Sequence, residues 1–295
     1  MTVAIVLTQP CSSTLFRHVT AIFGNGLLTS EGDFWLRQRR LAQPAFHRDR
    51  VAGYGSEMVH LAERHCDSWR DGERRDVHRD MMAVTLHIVT RTLFGTDVDE
   101  GTTAEVGRAF DGIVEEIARR FRRPFRIPDA VPTPGNLRYR SGVRRLDRLV
   151  YALIEERRRT REERGDLLSL LLRARDEDGG RMTDRQLRDE VVTFSLPVTR
   201  PRPSRSPRPG TSEFRPERWL DGLQVRLPRG AYVPFGAGPR LCIGQSFALM
   251  EASLILATVA RRLRFDLDPG RTVTPFPSIT LRPSGGVPAR VSAWR

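Results

Sequence analysis

The sequence predicts a mainly α-helical fold with small β elements, and three observations support this. Apolar residues recur at three- and four-residue spacings over most of the first 195 residues, which is the period of an amphipathic helix. Short apolar segments next to proline and glycine occur near the C-terminus, where we expect strands. No apolar run is long enough to cross a membrane. A chain of 295 residues can bury a sizeable core.

The first predicted helix runs from Phe34 to Gln43. Ser30 is its predicted cap, and Pro44 limits its far end because proline cannot continue a helix. We interpret the apolar stripes that follow as the buried faces of further helices. These are Tyr54 to Trp69 (Met58, Leu61 and Ala62 inward), Met82 to Phe94 (ending at Gly95), the stripe Phe110, Ile113, Val114 and Ile117, the stripe Leu146, Leu149, Leu153 and Ile154, and Leu167 to Leu172.

A capping box at Thr183 and Gln186 opens another helix, which continues to Phe194. Beyond it, the segment from Pro197 to Gly210 carries five prolines and four arginines. No helix can cross such a segment, so we interpret it as an extended or irregular junction. The sequence therefore predicts residues 1–196 and 212–295 as two parts of one domain, joined by an irregular stretch at 197–211.

The C-terminal part predicts one long helix and a pair of strands. Apolar residues at helical spacing run from Ile243 to Leu263. The segments Ser278 to Pro283 and Val287 to Val291 are predicted to pair as a closing hairpin.

A cysteine in a glycine-rich loop precedes this long helix. Residues 235–244 read Phe-Gly-Ala-Gly-Pro-Arg-Leu-Cys-Ile-Gly, with the cysteine at Cys242. A thiolate held there would face the positive end of the helix that follows, which stabilises its charge. The pattern Phe-x-x-Gly-x-Arg-x-Cys-x-Gly resembles the haem-binding loop of the cytochrome P450 family at every fixed position. A lone cysteine in such a turn is otherwise a small buried apolar residue.

The first helix carries a second resemblance to the same family. Trp35 and Arg39 are four residues apart and share a helix face. Trp-x-x-x-Arg is similar to the pattern of the family's C helix, where both side chains bind a haem propionate. Arginine suits that task because its planar fork gives a carboxylate two charge-assisted hydrogen bonds.

The resemblance implies a bacterial-type, soluble haem-thiolate monooxygenase that inserts an oxygen atom into a C–H bond of a small organic substrate. Its cofactor would be haem b (iron protoporphyrin IX), and Cys242 would be the iron ligand. The implied cofactor-binding residues are Trp35, Arg39, Phe235, Gly236, Gly238, Arg240, Ile243, Gly244 and Ala248. Of these, Arg240 would join Trp35 and Arg39 at the propionates, and Phe235 would shield the sulfur. The electron donor would be a ferredoxin or a flavin protein.

The sequence also departs from the family pattern. The acid and threonine that should follow Phe194 are missing, so no catalytic residue is named, and the chain is interpreted as internally deleted and shortened at its N-terminus. The family's Glu-x-x-Arg motif is missing as well. Three pairs have its spacing (Glu116 with Arg119, Glu155 with Arg158, Glu156 with Arg159), and we interpret them as ordinary exposed helix pairs. An inactive relic with weak or no haem binding is therefore an open alternative.

Charge suggests a third hypothesis, a basic non-enzymatic or nucleic-acid-binding protein. The net charge is +13, but every one of the 49 basic residues is arginine. The arginines are spread along the chain among acids, which is typical of solvated helix faces rather than of a nucleic-acid site. We therefore expect no nucleic-acid partner and no membrane span. Three scattered cysteines predict no disulfide framework, which favours a cytoplasmic protein.

Overall fold

A computed structural model confirms the mainly helical fold. It describes residues 19–20, 22–97, 99–122, 131–160, 162, 164–175, 179–195, 217, 220, 222, 226–228, 230–268, 270, 273–277 and 281–294. The predicted junction at 197–211 lies outside these residues. None of the described helices is long and apolar enough to cross a membrane.

The helices of the N-terminal part follow one another closely. They are α1 (Gly32–Ala42), a 3-10 turn (Gln43–Phe46), α2 (Arg48–Gly53), α3 (Gly55–Asp67), α4 (Val77–Phe94), α5 (Glu100–Arg122), α6 (Pro134–Thr160), α7 (Leu167–Arg173) and α8 (Asp184–Phe194). The C-terminal part has a 3-10 turn (Gly238–Arg240) and α9 (Gln245–Arg262). Strands are β1 (Arg74–Asp76), β2 (Leu263–Leu267), β3 (Pro275–Pro277), β4 (Leu281–Pro283) and β5 (Pro288–Ala293).

Helix ends follow local chemistry in most places. Thr183 and Gln186 form the predicted capping box of α8. Helix α4 ends at Gly95 as predicted, where φ is 56°, a left-handed value that glycine adopts easily. The predicted cap of α1 is wrong. Glu31 occupies the cap position without a side-chain hydrogen bond, and Ser30 lies one residue earlier, buried.

The predicted closing hairpin is also wrong in its pairing. Strand β4 pairs with β3 rather than with β5. Strand β5 lies between β1 and β2, antiparallel to both. Strand β1, which follows α3, therefore pairs with the C-terminal strand β5. Local sequence cannot indicate such a long-range pairing.

The predicted apolar stripes form two described core clusters. The larger joins α3, α4, α7, α8 and α9 around buried side chains that include Met58, Ile88, Leu168 and Ile255. The smaller packs Ile22 and Phe23 against α5 and α6. The larger cluster is built from both parts of the chain, so the two parts share a core.

Polar groups join the helices inside these clusters. Arg157 of α6 is buried and donates from Nη1 to Asp166 at 2.7 Å and to Ser169 at 2.8 Å, and from Nη2 to the Phe94 carbonyl at 2.7 Å. Glu116 is also buried, and Arg119 donates to it at 2.9 Å. The interpretation of Glu116 as one of an ordinary exposed pair is therefore wrong, because α6 approaches at Gly135 and covers its carboxylate.

Candidate functional site

The cysteine loop is closed by its own backbone. The Cys242 N–H donates to the Phe235 carbonyl at 2.9 Å, and the Leu241 N–H donates to the Gly238 carbonyl at 3.1 Å. The Gly238–Arg240 turn lies inside this closed segment. The loop therefore holds Cys242 immediately before α9 without needing a side chain to do so.

Two glycines make this closure possible. Gly236 has a φ of 77° and Gly238 a φ of 70°, both in the left-handed region that other residues rarely adopt. Gly244 has a φ of −86°, outside the left-handed region, so its backbone conformation does not require glycine. A Cβ at Gly244 would lie 3.5 Å from the ring of Phe46, an ordinary contact.

Cys242 is exposed by its surface area, yet the neighbouring chain partly removes its thiol from water. This desolvation raises the pKa of the thiol above its ordinary value of 9.0. A hydrogen bond from the Gly244 N–H and the positive charge of Arg39 act in the opposite direction. Two groups that favour a thiolate, one from the loop and one from α1, therefore lie near the sulfur, but desolvation outweighs them and the pKa is raised.

Trp35, Arg39 and Arg240 meet on one side of this loop. The guanidinium carbon of Arg39 lies 5.7 Å from the centroid of the Trp35 ring, and that of Arg240 lies 4.9 Å from it. Trp35 and Arg39 share a face of α1, as their spacing predicts. Arg240 reaches the same indole from the cysteine loop, so the fold brings two cations to one aromatic ring.

Backbone carbonyls hold both arginines in place. Arg39 Nη1 donates to the Leu241 carbonyl at 2.8 Å, next to Cys242. Arg240 Nη2 donates to the Ser30 carbonyl at 2.7 Å. Helix α1 and the cysteine loop are therefore tied together by two reciprocal hydrogen bonds.

The other predicted residues lie in or beside the loop. The Phe235 side chain is half-buried, and its backbone carbonyl closes the loop. Ile243 is half-buried and packs against the larger core cluster. Ala248 lies in the first turn of α9, half-buried, with its N–H bonded to the Gly244 carbonyl at 2.9 Å.

Sequence reasoning missed several groups that support the site. The carbonyls of Ser30 and Leu241 are invisible in a sequence because every residue has one. The ring of Phe46 packs beside Gly244 and lies 5.2 Å from the ring of Phe194, so α8 ends beside the start of α9. Glu251 of α9 is a buried acid, which its place in an apolar helix could have indicated.

The site fits a cofactor that carries carboxylates and that takes one thiolate ligand from the protein. No described carboxylate pairs with Arg39 or Arg240, although their charges converge, so an anion would be stabilised there. Among the described residues no three His, Cys, Asp or Glu side chains form a metal-binding group. A single thiolate such as that of Cys242 suits haem iron, because the porphyrin supplies nitrogen ligands of its own.

Comparisons with known proteins agree with this geometry. The model of the cytochrome P450 family matches residues 8–196 and 208–287. The cyclooctat-9-en-7-ol 5-monooxygenase of Streptomyces melanosporofaciens is 30% identical, with 88% of this chain and 76% of that protein covered. The pentalenene oxygenase of Streptomyces avermitilis is also 30% identical, with 88% and 78% covered.

Solved structures show the same fold. The crystal structure of the cytochrome P450DA haem domain superposes with a TM-score of 0.80 at 20% identity, covering 97% of this chain and 84% of that one. The alignment with the cyclooctat-9-en-7-ol 5-monooxygenase runs over 351 positions, more than the 295 residues of this chain, so that relative has residues without a counterpart here. Haem b is the cofactor of the matched family. The chain belongs to the cytochrome P450 family.

Proposed function

We propose that this chain binds haem b as a haem-thiolate protein of the monooxygenase class. Cys242 would be the protein ligand of the iron, and Arg39, Arg240 and the indole N–H of Trp35 would bind the propionates. The observation that carries the proposal is the convergence of two guanidinium groups on Trp35, next to a loop that presents one thiol. Bound haem would supply oxygen activation by an iron whose electron density the thiolate increases.

The chain's own residues have separate tasks in this proposal. Gly236 and Gly238 give the loop its closed shape, and the Gly244 N–H donates to the sulfur and favours its ionised form. Phe235 shields one side of the sulfur from water. Ile243 and Ala248 present a small apolar surface at the start of α9, where a porphyrin could approach.

The substrate is proposed to be a small organic molecule with an unactivated C–H bond. The relatives at 30% identity are named for cyclooctat-9-en-7-ol and pentalenene, and we extend to this chain only their class, an apolar cyclic compound. A ferredoxin or flavin protein is proposed as the electron donor, on family resemblance.

A second candidate is an inactive relic that binds haem weakly or not at all and does not activate oxygen. We infer that a central block is missing between the two matched segments, since the family match is interrupted at 197–207 and the aligned relative has additional residues. The exposed face of α9 supports this inference. Its part before Arg261 carries no charge, and Leu256 on it is 69% exposed. Such a face is typical of a helix that another element covers. The exposed residues of this uncharged part are Ser246, Leu249, Ala252, Ser253, Leu256, Ala257 and Ala260, and the exposed Arg261 and Arg262 follow at the end of the helix.

A carbon monoxide difference spectrum of the reduced, haem-loaded protein tests the proposal. We expect the red-shifted Soret band of a thiolate-ligated haem. Substrate-dependent consumption of reduced nicotinamide with a surrogate ferredoxin system then separates the two candidates. A relic that still binds haem gives the Soret band but forms no oxidised product. A chain that takes up no haem would exclude the first candidate and support the relic. The nucleotide sequence encoding residues 196–211 would show whether the central block has been lost from the gene.

A further inference from the structure

Two adjacent acids on α8 hold the loop that precedes α1. Asp189 accepts from the Asn25 N–H at Oδ2, at 2.9 Å, and Glu190 accepts from the Leu27 N–H at Oε2, at 3.1 Å. Both acids are buried, and Glu190 is only 1% exposed. Arg188 pairs with Asp189 and also donates to the Ile22 carbonyl. The side chains of this part of α8 therefore hydrogen-bond the backbone of residues 22–27.

The fit between the loop and α8 leaves no space for side chains. A Cβ at Gly24 would overlap the Asp189 carboxylate, and Gly24 also has a φ of 54°. A Cβ at Gly26 would lie 2.5 Å from Thr193 Oγ1 and 2.7 Å from the Asp189 carbonyl, too close for any real contact. Glycine at both positions therefore lets the loop lie directly against the helix.

Hydrogen bonds within the same loop fix the position of Ser30 relative to Gly24 and Gly26. The Thr29 and Ser30 N–H groups both donate to the Gly26 carbonyl at 2.9 Å, and Thr29 Oγ1 donates to the Gly24 carbonyl at 2.9 Å. These bonds fix the end of the loop relative to its start. The Ser30 carbonyl is then the group that accepts from Arg240 Nη2 at 2.7 Å.

We propose that Asp189 and Glu190 are positioning residues for the cofactor. By holding the loop 24–30 they fix the position of the Ser30 carbonyl, and this carbonyl orients Arg240 towards the carboxylates of haem. This inference rests on the proposed function, because it gives Arg240 a propionate to bind. Neither acid touches the cofactor in this scheme. They act at a distance, through one rigid loop and one arginine.

Haem and its dimethyl ester provide a selective test. Esterification removes the propionate charges, so a residue that acts through Arg240 affects the affinity for haem and not that for the ester. We expect Glu190→Leu to weaken haem binding about tenfold or more, because the variant would misplace Arg240 and weaken its charge-assisted hydrogen bond to a propionate. Binding of the ester should be unchanged. Glu190→Gln keeps an acceptor for the Leu27 N–H and should restore haem affinity.

A double variant and a matched control make the test specific. Glu190→Leu combined with Arg240→Ala should bind haem no more weakly than Arg240→Ala alone, because both changes remove the same interaction. Glu116→Leu removes another buried acid, whose contacts are with Arg119 and Gly135 rather than with the loop. This variant should change the affinities for haem and for the ester by the same factor. Equal losses for haem and ester in Glu190→Leu, or losses that multiply in the double variant, would overturn the proposal.

Hydrogen exchange of the haem-free chain separates this inference from the proposed function. We expect Glu190→Leu to speed amide exchange in residues 24–31 and also in 235–242, with α3 unchanged. Faster exchange confined to residues 24–31 would show that the acids support only their own loop. If the wild-type chain takes up no haem, the proposed function fails, and the exchange experiment still decides whether α8 positions the cysteine loop.

Discussion

Arg240 lies over the indole of Trp35, with its guanidinium carbon 4.9 Å from the ring centroid, although the two residues belong to opposite parts of the chain. Arg39 approaches the same ring at 5.7 Å from α1. Both guanidinium groups are positively charged, so each attracts an anion bound beside this ring. The arrangement therefore favours a carboxylate ligand more than either arginine would by itself.

Replacing Arg240 is predicted to weaken haem binding selectively. We expect Arg240→Ala to lower haem affinity by roughly ten- to a hundredfold, because a charge-assisted hydrogen bond is worth about 1.5–3 kcal/mol. Arg240→Lys should recover only part of this, since an ammonium lacks the planar fork. Haem titration followed by absorbance gives the affinities. Arg159→Ala, at an exposed position near the end of α6, is the control and should bind as the wild type does.

Cys242→Ser is predicted to abolish the thiolate signature of the carbon monoxide complex. The serine hydroxyl cannot supply the polarizable anionic sulfur that shifts the Soret band. Cys66→Ser, which changes the thiol of α3 instead, should keep the spectrum of the wild type. An unchanged spectrum in the Cys242 variant would mean that another group ligates the iron.

The buried ion pair between Arg157 and Asp166 is predicted to be a major source of stability. Asp166→Ala leaves the Arg157 charge buried without its acid, and we expect the free energy of unfolding to fall by about 3–5 kcal/mol. Urea denaturation measures this change. Asp266→Ala breaks an exposed pair with Arg264 and should cost at most about 1 kcal/mol. Similar losses in the two variants would show that the buried pair has no special weight.

Stability is predicted to decrease as pH rises towards 8. Burial raises the pKa of Glu251 to about 8, from the usual 4.5. Burial is also the main reason that the pKa of Glu190 is about 8. The folded chain therefore keeps protons that the unfolded chain releases, so the free energy of unfolding falls between about pH 4.5 and 8. The slope is about 1.4 kcal/mol per pH unit for each acid.

Glu251→Gln should remove one of these two contributions and flatten the slope over that pH range. Urea denaturation at a series of pH values measures it. Glu155→Gln, at an exposed position on α6, should leave the slope as it is in the wild type. If Glu251→Gln also leaves the slope unchanged, this acid is ionised in the folded chain.

Elements with a local signal were predictable from the sequence. The capping box at Thr183, the end of α4 at Gly95 and the apolar stripes each depend on neighbours within a few residues. Strand pairing was not predictable in this way, because β5 joins β1 across almost the whole chain. The burial of Glu116 was missed for the same reason, since the helix that covers it follows later in the sequence.

The sequence by itself determined the family, the loop of Cys242 and the sharing of one helix face by Trp35 and Arg39. Each of these is a pattern of residue types at fixed spacing, which local backbone geometry turns directly into structure. Only the tertiary structure decided that Arg240 meets Trp35, and that Asp189 and Glu190 grip the loop ahead of α1. Those contacts use backbone carbonyls and amides, which every residue carries, so their choice of partner depends on how the helices pack.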